Sequence, residues 1–71
     1  MTNTKELRAQ MARYGDTGQS LADAMDVALS TISKKINNER EFTQKEIDFI
    51  KRRYNLTPDE IDLIFFALSV V

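Results

Sequence analysis

Two segments of this chain, FTQKEI at residues 42–47 and LTPDEI at residues 56–61, repeat one pattern of side chains. In each segment a glutamate follows a threonine by three residues, which is the spacing of a capping box at a helix start. An apolar residue precedes each threonine and an isoleucine follows each glutamate, as in a hydrophobic staple. Pro58 also occupies the first helical position after Thr57, where proline is well tolerated. The pattern therefore predicts two successive helix starts in a chain of short helices.

Another helix is predicted near the N-terminus. Asn3 and Glu6 have capping-box spacing, so the helix is expected to begin at Asn3 or Thr4. Gly15 is expected to end it, because glycine readily adopts the left-handed conformation that follows many helices. Between these points apolar side chains recur with helical period and predict an inward stripe of Leu7, Met11 and Tyr14.

Two shorter helices are predicted between residues 17 and 37. Thr17 is placed to cap the first, a tight turn at Asp26 and Val27 separates the two, and Asn37 with Asn38 marks the end of the second. The apolar residues around the turn have the spacing that a helix-turn-helix requires: Leu21, Ala22, Met25, Val27, Ile32 and Ile36. Short turns between apolar helices also occur in ordinary bundles, so this spacing alone leaves both interpretations open.

These signals predict one all-α domain over residues 1–71, a compact five-helix bundle containing a helix-turn-helix in helices 2 and 3. No run alternates between apolar and polar residues for long enough to predict a strand. The fifth helix, PDEIDLIFFAL, has one apolar stripe of Ile61, Ile64, Phe65 and Leu68. Leu63, Phe66 and Val70 lie off that stripe, where they either close the core or form a weak homodimer or partner contact.

The composition excludes several functions. The chain contains no cysteine and no histidine, which excludes disulfides, Cys/His zinc sites and histidine-based catalysis. Neighbouring acids such as Asp59 and Glu60 favour the helix dipole and lack a nucleophile nearby, so we expect no enzyme and no cofactor. No apolar run approaches the roughly 20 residues that cross a bilayer, and we expect a soluble, cytoplasmic protein without membrane contact. The net charge of -1 is unusual for a DNA-binding protein.

The stretch ADAMDVALSTISKKIN, followed by INNEREFTQKEI and NLTPDEIDLIFF, resembles the Cro/CI-type family of phage and bacterial regulators. The resemblance covers residues 4–66 and is closest to the modulator-of-repression proteins of temperate phages of lactic-acid bacteria, which take part in the lysis/lysogeny switch. It implies a five-helix DNA-binding domain. The partners it implies are the N-terminal DNA-binding domain of a CI-like repressor and operator DNA.

The resemblance also implies a set of DNA contacts, because the third helix of such domains lies in the major groove. Carried over by position, the polar residues predicted to contact DNA are Gln19, Ser30, Thr31, Ser33, Lys34 and Asn37. Gln19 and Asn37 would hold phosphates, while the others, together with Leu29, would lie near base edges or the backbone.

Three residues depart from the family pattern at the turn. Asp26 stands where glycine is usual, Ala28 where a Ser or Thr caps the helix, and Leu29 where a hydrogen-bonding residue is common. One interpretation is that Ala28 and Leu29 are buried against the protein's own core. The other is that Asp23, Asp26, Ala28 and Leu29 form an apolar and acidic patch, which would fit the basic DNA-reading face of a repressor.

Two functions therefore remain open from the sequence. In the first, which we favour, the chain is a switch protein or antirepressor that binds a CI-like repressor and modulates its hold on operators. In the second, it is a Cro-like repressor that binds operator half-sites as a dimer. The pI near 5.3 and Leu29 favour the first. The polar residues of the third helix favour the second, although Lys34 and Lys35 are offset by two aspartates within residues 18–37.

Overall fold

Five α-helices follow one another along residues 1–66, the part of the chain that the computed structural model describes, with no strand among them. They are α1 (Thr4–Arg13), α2 (Gly18–Met25), α3 (Leu29–Ile36), α4 (Gln44–Arg53) and α5 (Pro58–Phe65). The predicted all-α, five-helix fold is confirmed. The longest helices have ten residues, and none of the five is long and apolar enough to cross a bilayer. The predicted continuation of helix five to Leu68 lies outside the described residues, and so does Val70.

Three of the helices begin with a complete capping box. The Thr43 hydroxyl accepts from the Glu46 N–H at 3.3 Å, and the Thr43 N–H donates to the Glu46 carboxylate at 2.8 Å. Thr57 and Glu60 exchange the same two hydrogen bonds, at 3.2 and 2.8 Å. Thr17 caps α2 as predicted, with Ser20 as its reciprocal partner. Local hydrogen bonds therefore define these starts, as the sequence predicted.

The capping box predicted for Asn3 and Glu6 is only half formed. The Asn3 side chain accepts from the Glu6 N–H at 3.2 Å, but the Asn3 N–H donates to the Ile64 carbonyl at 2.6 Å. The reason is tertiary, because the N-terminal segment lies against the last turn of α5. The Thr4 hydroxyl attaches the N-terminal segment to α3 as well, because it donates a hydrogen bond to the Ile36 carbonyl at 2.6 Å.

The first four helices end in one common geometry. A residue with positive φ follows each helix, and the next N–H donates to a carbonyl five residues earlier, as Val27 does to Ala22 at 3.0 Å. This closure is the Schellman motif. The residues with positive φ are Gly15, Asp26, Asn38 and Asn55. The predicted stop at Gly15 and the predicted turn at Asp26 are thus confirmed, while Asn38 rather than Asn37 takes the left-handed conformation.

The core lies between all five helices and consists of buried apolar side chains: Leu7, Met11, Leu21, Ala22, Ile32, Ile36, Phe42, Ile47, Ile50, Tyr54, Leu56, Ile64 and Phe65. Most of the predicted inward stripes are among them. Met25, Val27 and Ile61 are only partly buried at its edge. Tyr14 was expected to be inward but is 47% exposed, because its ring stacks on the outer side of Tyr54 with 5.3 Å between centroids.

Asp16, between α1 and α2, accepts hydrogen bonds from three side chains. They come from Arg53 at 2.6 and 2.9 Å, from the Tyr54 hydroxyl at 2.6 Å and from the Ser20 hydroxyl at 2.7 Å. The bonds from Arg53 contribute most to a pKa of Asp16 far below its ordinary value, and they outweigh the effect of burial. Because Ser20 belongs to the capping box of Thr17, Asp16 connects the start of α2 to the end of α4.

Substitution Asp16→Asn should lower the free energy of unfolding by about 2 kcal/mol at pH 7, since charge-assisted hydrogen bonds are lost and Arg53 loses its partner. The folded pKa of Asp16 lies below the unfolded value of about 3.9, so this stability is present above that pH and decreases below it. Urea unfolding of both proteins at neutral and acidic pH should therefore show a difference that shrinks in acid.

Asp62→Asn is the matched control, because Asp62 is exposed on α5. This control should show little loss at either pH. If Asp16→Asn proved as stable as the wild type at pH 7, the connection through Asp16 would not stabilise the fold.

Candidate functional site: the exposed side of α2 and α3

The site predicted from the sequence lies on two helices that pack directly on each other. Leu21 and Ala22 of α2 are fully buried, as is Ile32 of α3. Ala22 has no side chain beyond Cβ, which allows the two helices to approach closely. Most polar residues of both helices lie away from this contact, although Thr31 and Ser33 are half-buried and Lys35 is buried.

The structure leaves most of the predicted DNA contacts accessible. Ser30, Lys34 and Asn37 of the α3 segment and Gln19 of α2 are exposed, whereas Thr31 and Ser33 are half-buried. Ser30 and Lys34 are four residues apart on α3 and so lie on one face of the helix. Ser30, Lys34 and Asn37 therefore form an exposed polar face along the α3 segment.

The two predicted phosphate ligands have partners within the protein. The Gln19 side-chain amide donates to the Asp23 carboxylate at 2.8 Å. A phosphate at Gln19 would therefore meet a neighbouring negative charge. Asn37 accepts instead from the Arg8 guanidinium at 2.9 Å, which places a cation beside the end of α3. Arg8 is 29 residues from Asn37 in the chain, and no local pattern predicted their contact.

The four residues of the predicted partner site are all exposed. We call Asp23, Asp26, Ala28 and Leu29 the α2–α3 patch. Leu29 is 42% exposed, and its covered side lies against the first turn of α2, where a Cβ on Gly18 would be 3.3 Å from Leu29 Cδ1. The alternative that Ala28 and Leu29 are buried in the protein's own core is wrong, because Ile32 and Ile36 already fill that side of α3.

The turn into α3 uses two residues that are unfavourable there. Asp26 adopts a left-handed backbone, with φ 57° and ψ 45°, which glycine would adopt more easily. Ala28 is the residue before α3 and has the extended backbone of an N-cap, but its side chain cannot accept a hydrogen bond. Both residues nevertheless leave the geometry of the turn intact, and they place a carboxylate and a methyl group on the surface.

Lys35 is turned inward, which changes the charge of this surface. Its ammonium lies 2.6 and 2.7 Å from the two carboxylate oxygens of Glu46, and the two side chains are 11% and 16% exposed. Burial acts on the pKa of Glu46 in the upward direction, but hydrogen bonds from Lys35 and Thr43 lower it overall. Within residues 18–37 the exposed charged residues are therefore Asp23, Asp26 and Lys34, and not the balanced set expected from the sequence, while Arg8 lies beside the end of α3.

One signal in the sequence indicated this position for Lys35. It follows Ile32 by three residues and directly precedes Ile36, so it lies at the flank of the inward stripe. Its partner on α4 was not predictable, because Glu46 already had a local role in the capping box.

Comparison of the chain with protein-family models, with curated proteins and with solved structures found no match. Within residues 1–66 no group of acidic side chains has an arrangement that suits a metal ion. The site is therefore described by its own residues: an acidic and apolar patch beside a polar helix face.

Substitution Ala28→Ser should raise the free energy of unfolding by about 1 kcal/mol, because a serine hydroxyl at this N-cap can accept from the first turn of α3. Thermal or urea unfolding measures the gain. Ala9→Ser is the control, since Ala9 is exposed inside α1, where serine offers no cap and slightly lowers helix propensity. Equal effects of the two substitutions would contradict the assignment of Ala28 as an uncapped N-cap.

Proposed function

We propose that this chain is a transcriptional switch protein of the Cro/CI type, in which α2 and α3 form the helix-turn-helix. Its main act is to bind the N-terminal DNA-binding domain of a CI-like repressor through the α2–α3 patch and to weaken the repressor's hold on its operators. The observation that carries the proposal is the half-exposed Leu29. It lies next to Ala28, in the same patch as the exposed carboxylates of Asp23 and Asp26, neither of which forms an ion pair with a lysine.

The chemistry of the patch fits a basic protein surface better than a phosphate backbone. A repressor's DNA-reading face carries Lys and Arg around side chains that contact bases, so it would offer cations to Asp23 and Asp26. Leu29 and Ala28 would supply apolar area at the centre of such a contact. A protein bound there covers the atoms that the repressor uses on DNA, and this is a direct physical route to antirepression.

Direct DNA binding by this chain alone is less favoured by the same surface. Gln19 is bonded to a carboxylate and Lys35 is paired with Glu46, so few donors remain for phosphates. The formal net charge of -1 also gives the whole chain no positive excess that would attract it to DNA over long range. The proposed binding to a CI-like repressor would take place in the cytoplasm of a bacterial host.

A Cro-like repressor remains the second candidate, for two reasons. Ser30 and Lys34 are exposed on one face of α3, and Arg8 adds a cation beside Asn37. This function also needs a second copy of the chain, for which the exposed Leu63 and Phe66 of α5 offer apolar area.

Substitution Leu29→Ser should weaken association with the repressor's N-terminal domain about tenfold, because apolar area at the centre of an interface is lost. Isothermal titration or a pull-down with purified domains measures this. Leu63→Ser is a closely matched control, because Leu63 is 49% exposed but lies on α5. A Leu29→Ser variant that bound as tightly as the control would contradict the placement of the interface.

Gel shifts on operator DNA separate the two candidate functions. The repressor alone should shift the DNA, this protein alone should shift it weakly, and the mixture should show loss of the repressor's shift or an altered complex. Tight, salt-sensitive binding by this protein alone would instead support the Cro-like repressor. The variant Asp26→Asn keeps a residue that tolerates the left-handed turn, so it tests the charge of the patch without changing its shape.

A further inference from the structure

The contact between Lys35 and Glu46 is unusual for so small a domain. Lysine is almost never buried unless it is paired, and Lys35 is 11% exposed beside a carboxylate that is 16% exposed. Both oxygens of Glu46 lie within 2.7 Å of the Lys35 ammonium. The neighbouring Lys34 is exposed, so two adjacent lysines of one helix have opposite environments.

The Glu46 side chain is held in place by its own helix start, independently of Lys35. The Thr43 N–H donates to the same oxygen, Oε1, at 2.8 Å, and the Glu46 N–H donates to the Thr43 hydroxyl. The capping box therefore holds the carboxylate over the start of α4. A lysine on the inward flank of α3 needs only to extend its stem along the core edge to reach it.

Without Glu46, no carboxylate would stabilise the Lys35 ammonium in its buried position. The desolvation cost of a buried ammonium is large, and the four-carbon stem is long enough to carry it to water at the edge of α3. The surface of α3 would then present Lys34 and Lys35 together, and it would gain one positive charge.

We propose that Glu46 is a specificity-determining residue: by binding Lys35 inside the fold, it removes a cation from the surface of α3 and thereby disfavours DNA there. The inference rests on the proposed function, because it concerns the charge of the same surface. A purely structural ion pair would join α3 to α4 without affecting what α3 binds, and the two roles differ in measurable ways.

The position of Lys35 is tested by amine acylation with a small reagent, followed by mass spectrometry of the intact, folded protein. In the wild type, Lys35 should react much more slowly than Lys34 or Lys45, which are exposed. In Glu46→Gln, whose amide oxygen still accepts from Thr43, the rate at Lys35 should rise to that of Lys34. Continued protection of Lys35 in this variant would overturn the proposal.

The effect on binding is tested with a short DNA duplex of mixed sequence over a range of salt concentrations. Glu46→Gln should bind the duplex more tightly, and the slope of log affinity against log salt should steepen by about 0.9, the value for one added phosphate contact. Glu39→Gln is the control, because it makes the same change of charge at an exposed residue just after α3. Equal slopes for the two variants would overturn the proposal.

Two single variants that retain Glu46 keep the test valid if Glu46→Gln folds poorly. In the wild-type background, Lys34→Met should reduce the salt slope by about 0.9, while Lys35→Met should leave it unchanged, because Lys35 makes no phosphate contact there. The double variant Lys35→Met with Glu46→Gln replaces the pair by neutral groups and should lack the gain of Glu46→Gln. Equal losses in Lys34→Met and Lys35→Met would overturn the inference.

None of these measurements includes the repressor. Failure of the inference about Glu46 is therefore distinguishable from failure of the proposed function, which is decided by the repressor's affinity for Leu29→Ser.

Discussion

A charged side chain leaves water at a large cost unless an opposite charge goes with it, and two such pairs organise this small fold. Asp16 with Arg53 joins the start of α2 to the end of α4, and Glu46 with Lys35 joins the end of α3 to the start of α4. The α2–α3 pair is thus attached to α4 at two separate points. Both carboxylates also take part in hydrogen bonds at a helix start, so local and long-range structure depend on the same atoms.

The same pairing decides what the surface offers to a partner. Arg53 at the surface and Lys35 at the edge of the core are both paired with carboxylates of the protein, although the sequence alone would count both as available cations. The apolar and acidic residues at the turn have no comparable partner inside and remain outside. Around the turn between α2 and α3 the domain therefore presents exposed carboxylates beside partly apolar residues, and this is the physical basis for proposing a protein partner.

Much of the fold was predictable because its signals are short. The capping boxes of Thr43 and Thr57, the cap at Thr17 and the stop at Gly15 each involve residues a few positions apart, and all are confirmed. Predictions failed where a distant segment competed for the same group. The Asn3 N–H donates to the Ile64 carbonyl of α5 and not to the Glu6 side chain. Tyr14 was displaced to the outside of Tyr54 for a similar tertiary reason.

For the site, the sequence alone predicted which residues belong to α2 and α3, where the turn between them lies, and that Asp26 and Ala28 lie at this turn with Leu29 directly after them. The packing of the helices leaves Ala28 and Leu29 outside the core, and it gives Lys35 a buried partner in Glu46 while Lys34 stays exposed. Helical period and capping act over one or two turns and can be read along the chain. The final burial of a side chain and the choice of its ion-pair partner depend on which distant helices pack together, and no local pattern identifies that partner.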